Sequence, residues 1–212
     1  MNPKPKGILF RGEMIRSLLN TQIDSWPAKP VDESKPWKWQ TRRELKNQPG
    51  KFVHVDYDDR QGWHLWWDVG DCGSPDVTQE SVPLPCPHPV GSIIYAKETH
   101  IPKASGVIYK ADFDSVEAAG LSGMYGGWKP SIFMKTIYAR LWFRVMNVRV
   151  ERVNKISGDD ARAEGTHGHD NQADSNVIGR YRELWDSING NGDFDKGQCV
   201  WVYEIARITK PV

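Results

Sequence analysis

The ten residues from Cys199 to Ile208 carry apolar side chains on both faces for much of their length. A strand of that kind cannot sit at a solvated edge, because both of its faces must be covered. The chain must therefore build a sheet with this segment inside it and other elements packed above and below.

The remaining periodicities say what those elements are. Met14, Ile15, Leu18 and Leu19 form one stripe at helical spacing. Val177, Ile178, Tyr181, Leu184, Trp185 and Ile188 form a second and cleaner stripe, stopped by Asn189-Gly190-Asn191-Gly192. Ser157 with Asp160 three residues later has the form of a capping box, which starts a short helix running through Glu164 and ended by Gly165. Strands are expected at Ile8–Phe10, Phe52–Tyr57, Trp63–Val69, Ser92–Ala96, Val107–Tyr109 and Leu141–Val153, from alternation or from β-branched and aromatic content. Residues 20–36 and 70–90 are rich in proline, glycine and polar residues, and are expected as loop insertions. Residues 112–130, with four glycines, are expected to be irregular. About seven strands and three helices without regular alternation disfavour a doubly wound sheet. They favour an α+β class, a small mixed β-barrel with flanking helices, in one domain spanning 1–212.

Composition excludes several classes. The longest unbroken apolar run is Cys199–Tyr203, far short of the roughly 20 residues of a membrane-spanning helix. No apolar stretch follows Met1–Lys6, so no secretory signal and no membrane role are expected, and the cytoplasm is the expected setting. Three cysteines leave one over in any disulfide scheme. Cys72, Cys86, His88, His167 and His169 have the donor chemistry of zinc ligands but not the spacing of a known site, so no metal and no cofactor are expected. The net charge of +1 gives no global field for nucleic acid. Residues 35–51 nevertheless hold six cations against Glu44 alone.

Within that stretch, Trp37-Lys38-Trp39-Gln40-Thr41-Arg42-Arg43 packs aromatic, cationic and hydroxyl groups into seven residues. Such a segment can stack on bases and hold phosphates, or serve as a solvated basic loop anchored by its tryptophans.

Several stretches, in order along the chain, resemble the ASCH-domain proteins, particularly a type common in tailed-phage and prophage genomes. They are Gly7–Phe10 with Met14–Leu19, then Lys38-x-x-Thr41-x-Arg43, Cys86–Thr99, Trp128–Met134 with Arg140, Ile156–Gly165, and Tyr181–Asn189 with Val200–Val202. The resemblance implies a PUA-like fold whose cleft faces a nucleoside, RNA or modified nucleic acid. Some small bacterial members are amidohydrolases that deacetylate N(4)-acetylcytidine. Their functional lysine, threonine and glutamate match Lys38, Thr41 and Glu164, and Arg43 matches the motif's arginine. In that role Thr41 is the nucleophile and Lys38 its base, Glu164 orients the lysine or carries the leaving amine's proton, Arg43 binds an oxyanion or phosphate or braces the barrel, with Arg42 beside it, and Trp37 or Trp39 stacks on the ring. Glu98 is either a second cleft carboxylate or an ion-pair partner for Arg43. The pattern departs from the family in the insertion at 20–36, in Pro36-Trp37 where relatives have a glycine, and in Ser92 and Tyr95. A non-catalytic RNA-binding module and a ribonuclease are the rival readings, the latter without an evident pair of metal-spaced carboxylates.

Overall fold

The computed structural model describes residues 5–33, 35, 37–45, 54–69, 78–166 and 173–211. The strands are β1 (Lys6–Leu9), β2 (Gln40–Glu44), β3 (His54–Asp58), β4 (Gly62–Val69), β5 (Thr78–Pro83), β6 (Ile93–Lys97), β7 (His100–Lys103), β8 (Gly106–Tyr109), β9 (Trp142–Arg152) and β10 (Cys199–Ile208). The helices are α1 (Gly12–Leu19), α2 (Ser115–Tyr125), α3 (Gly158–Ala163) and α4 (Asp174–Asn189). The class is α+β. No helix among the described residues is long and apolar enough to cross a membrane.

The main sheet has five strands in the order β1-β6-β9-β10-β2. Only β1 and β6 run parallel. As its sequence demands, β10 is an interior strand, and its alternation divides the core in two. Val200 and Val202 face Val177, Tyr181 and Trp185 of α4. Trp201, Tyr203 and Ile205 face the other way, onto Ile8, Ile94, Phe143 and the α1 residues Ile15 and Leu18. The antiparallel sheet β3-β4-β5 joins the second cluster through Trp63, whose ring meets Trp201 edge-on at 5.4 Å.

The expected barrel is not closed among the described residues. β1 and β2 are the two edges of the sheet, and they are bridged by a hydrogen bond from Arg43 Nη2 to the Leu9 carbonyl at 2.8 Å. A guanidinium spanning that gap keeps the edges farther apart than the roughly 4.8 Å of a backbone ladder. Three further expectations change. The 70–90 insertion contains β5 over its second half, and the 112–130 segment contains α2. The Trp37–Arg43 segment is a strand from Gln40 onward. Residues 20–36 carry no helix or strand among the described positions apart from the Thr21–Pro30 bridge.

Candidate functional site

The site is assembled where α3 ends against the start of β2. Ser157 Oγ accepts the Asp160 backbone N–H at 3.1 Å, satisfying one of the orphan donors that begin a helix. Glu164 is the C-cap residue, and Gly165 follows with φ 86°, turning the chain in the left-handed region. A methyl group on Gly165 would stand 3.1 Å from Ser17 Oγ and 3.4 Å from Lys38 Cβ, so the turn is pressed directly against α1 and Lys38.

The backbone around Lys38 is fixed from three sides. Thr21 Oγ1 donates to the Lys38 carbonyl at 2.8 Å, the Trp39 N–H donates to Ala163 O at 3.1 Å, and the Ile205 N–H donates to Trp39 O at 2.8 Å. Lys38 is fully buried, 0% exposed, and Glu164 is 3% exposed. The Lys38 ammonium donates to the Glu164 carbonyl at 3.0 Å and makes a short ion pair with Glu164 Oε2. Burial pushes the Lys38 pKa below its ordinary value, and the attraction of Glu164 only partly opposes this.

Glu164 holds a second cation. Arg42 Nη1 lies 3.1 Å from Glu164 Oε1 and donates to Gln40 Oε1 at 2.8 Å. The same guanidinium reaches Glu151 (Nε to Oε1, 2.8 Å) and Asp160 (3.1 Å), and lies 5.8 Å from the centre of the Tyr181 ring. Arg149 extends the network to Asp160 at 2.9 Å and Glu204 at 2.8 Å. Burial alone would raise the Asp160 pKa, but Arg42 and Arg149 together hold it below the ordinary carboxylate value. Glu164 also lines a cavity of about 510 Å³ with Arg11, Met14, Arg16, Ser17 and Lys35. That volume lies within the range of small-molecule sites.

The other expected site residues are dispersed. Thr41 is 2% exposed, opposite Tyr203 in the β2–β10 register. Its hydroxyl makes no hydrogen bond among the described residues, and the Lys38 ammonium is directed to Glu164 rather than to Thr41. Strand alternation places Thr41 and Arg43 on one face of β2, and Gln40 and Arg42 on the other. Arg43 lies 4.8 Å from the centre of the Phe10 ring, and burial lowers its pKa. Trp37 and Trp39 are half-buried and stacked at 6.4 Å, with Trp26 edge-on to Trp39 at 6.1 Å. Glu98 is a correction: its partner is Arg140, through a two-point contact at 3.0 and 2.7 Å, not Arg43. Arg140 is far better placed, because it lies on the Tyr109 ring at 3.9 Å and pairs with Asp112 as well.

Gln40, Glu151, Asp160 and Arg149 were missed as site residues. The signal for Gln40 was present: with Arg42 it forms a period-two pair, visible once 40–44 is taken as a strand. Among the possible metal donors, Cys72, His167 and His169 lie outside the described residues. Burial raises the Cys86 thiol pKa, which opposes the thiolate a metal needs. No group of three ligand-type side chains among the described residues is arranged to hold a metal ion. A scan against protein-family models, a search of curated proteins and a search of solved structures each match nothing.

Proposed function

We propose that the protein is a PUA-like, ASCH-type amidohydrolase acting on an N-acylated pyrimidine nucleoside such as N(4)-acetylcytidine. The observation that carries this reading is the buried Lys38–Glu164 pair. The two residues are 126 positions apart, and the resemblance had assigned them to one reaction. The α+β class of the structure is the class that reading calls for.

The chemistry follows from the pair. When substrate binds, Lys38 passes a proton to Glu164 and its amine is freed, a release that the burial of Lys38 makes easier. The amine then turns from Glu164 toward Thr41 and takes its hydroxyl proton as Oγ1 attacks the acyl carbon. The leaving amino group takes a proton back from Lys38. Water hydrolyses the acyl-threonine by the same base, and the acetate and the free nucleoside depart. The Thr41 hydroxyl makes no hydrogen bond among the described residues, so none of those need break before it attacks.

The test is hydrolysis of N(4)-acetylcytidine, followed by chromatography. Wild type turns over, Lys38→Ala and Thr41→Ala lose at least about a hundredfold, as expected for loss of a base or nucleophile, and Thr41→Ser retains part of the rate. No turnover by wild type ends the hydrolase reading.

A binding module is the second reading. The half-buried Trp37/Trp39 stack favours it, because partly open aromatic faces can receive bases. An RNA titration that weakens steeply with salt and is indifferent to Thr41→Ala would establish it.

A further inference from the structure

The gap between the sheet edges encloses a second cavity of about 620 Å³, with residues of β1, β2 and β10 on its walls. Leu65, Leu84 and Trp201 give it apolar walls. Arg43, His88 and Tyr203 also line it, and each carries a buried polar atom with no hydrogen-bond partner: Arg43 Nε, His88 Nδ1 and Tyr203 Oη. Tyr203 Oη lies near the Cys86 thiol, the His88 backbone and Arg43, and makes no hydrogen bond of good geometry with any of them. Most buried polar atoms in folded proteins are satisfied, so three orphans around one space are unusual.

Two charged residues stand on its walls, Arg43 and the exposed Glu44, and Glu44 makes no ion pair with Arg43. Arg43 is half-buried, donates to the Leu9 carbonyl, and is paired with no carboxylate among the described residues. A partly buried cation without an ion-pair partner carries a desolvation cost that an anion would offset. Lys6 lies nearby, with Nζ on the Pro87 carbonyl at 3.1 Å. His88 adds no negative charge and is itself held neutral, with its pKa pushed down to about 4 by burial and by the charges of Lys6 and Arg43.

We propose that this cavity binds a small monocarboxylate with a planar apolar body. The carboxylate supplies the charge that Arg43 lacks, and its oxygens accept from Arg43 Nε–H and Tyr203 O–H. The imidazole of His88, T-shaped to Tyr203 at 5.4 Å, closes the third side of the head group. The ring occupies the space between Leu65, Leu84 and Trp201. One unpaired guanidinium matches a monoanion. A phosphate dianion, more strongly hydrated, would keep a surplus charge against apolar walls.

The test is titration calorimetry of the full chain with phenylacetate and with indole-3-acetate, against phenylacetamide as the neutral isostere. At least one acid binds, and phenylacetamide binds at least about tenfold more weakly than phenylacetate, as expected for loss of a charge-assisted pair. Tyr203→Phe removes one hydroxyl in place. It weakens acid binding by about tenfold while leaving the melting temperature of the free protein unchanged or higher, because an unsatisfied buried hydroxyl has been removed. Leu84→Trp fills the cavity and abolishes binding. Failure of both acids to bind, equal affinity for acid and amide, or a marked drop in melting temperature in Tyr203→Phe would each overturn the proposal.

Discussion

Lys38 is tolerated without any exposed surface because Glu164 stands against it, and Glu164 is in turn shared with Arg42. Removing the shared carboxylate strands two buried cations at once. Glu164→Gln is therefore expected to cost about 3–5 kcal/mol in urea denaturation at neutral pH, the magnitude for breaking a buried pair. The pH dependence of that loss has a definite sign. The folded-state pKa of Lys38 lies below its ordinary 10.5, so the native state releases this proton before the unfolded state does. Lys38 then makes stability rise with pH across the window from its folded pKa to 10.5. The window widens in Glu164→Gln, which loses the attraction that had held the proton. Part of the deficit of the variant should be recovered between neutral pH and 10, and denaturation midpoints along that series check it.

At the scale of elements, α3 decides where Glu164 stands. It has only six residues, too few to persist without caps and packing. Ala161, packed with Val177 and Tyr181, supplies the packing, and Ser157 supplies the cap. Ser157→Ala should cost about 1 kcal/mol, measured by denaturation, and should also slow any reaction that uses Glu164. This helix was legible in the sequence because capping is local chemistry: Ser157, Asp160 and Gly165 lie within nine residues. α4 and β10 were legible for a similar reason, since a stripe or a two-faced apolar run needs no knowledge of distant residues. α2 was hidden because Gly120 and Gly123 weaken helix propensity. It is held instead by tertiary contact, including the Trp128 indole donating to Ala118 O at 2.8 Å. β2 was hidden because its buried residues are polar and their partners lie far along the chain, as with Arg42 and Glu151 at a separation of 109. The Lys38–Glu164 pairing came from resemblance alone; no periodicity or spacing marks it.

At the scale of the whole molecule, the response to acid should include two separable declines in stability. His88 has a folded pKa of about 4 against an ordinary 6.5, so the unfolded state takes up a proton first as pH falls. Stability is therefore full above 6.5 and declines as pH falls toward 4. Asp160, depressed below 3.8, adds a second decline at lower pH. His88→Leu should flatten the first decline and leave the second, which melting temperatures measured from pH 7 to 3 would separate. The strand order also dictates when the sheet can form. β1 and β2 belong to the first 44 residues, yet among the described residues β1 pairs with β6, near residue 95, and β2 with β10, near residue 200. On the ribosome both edge strands emerge long before their partners exist. β1 can pair once β6 has emerged, but β2 must wait for β10, and the long loops these pairings close make for slow folding and a nascent chain with an exposed β2 to shelter.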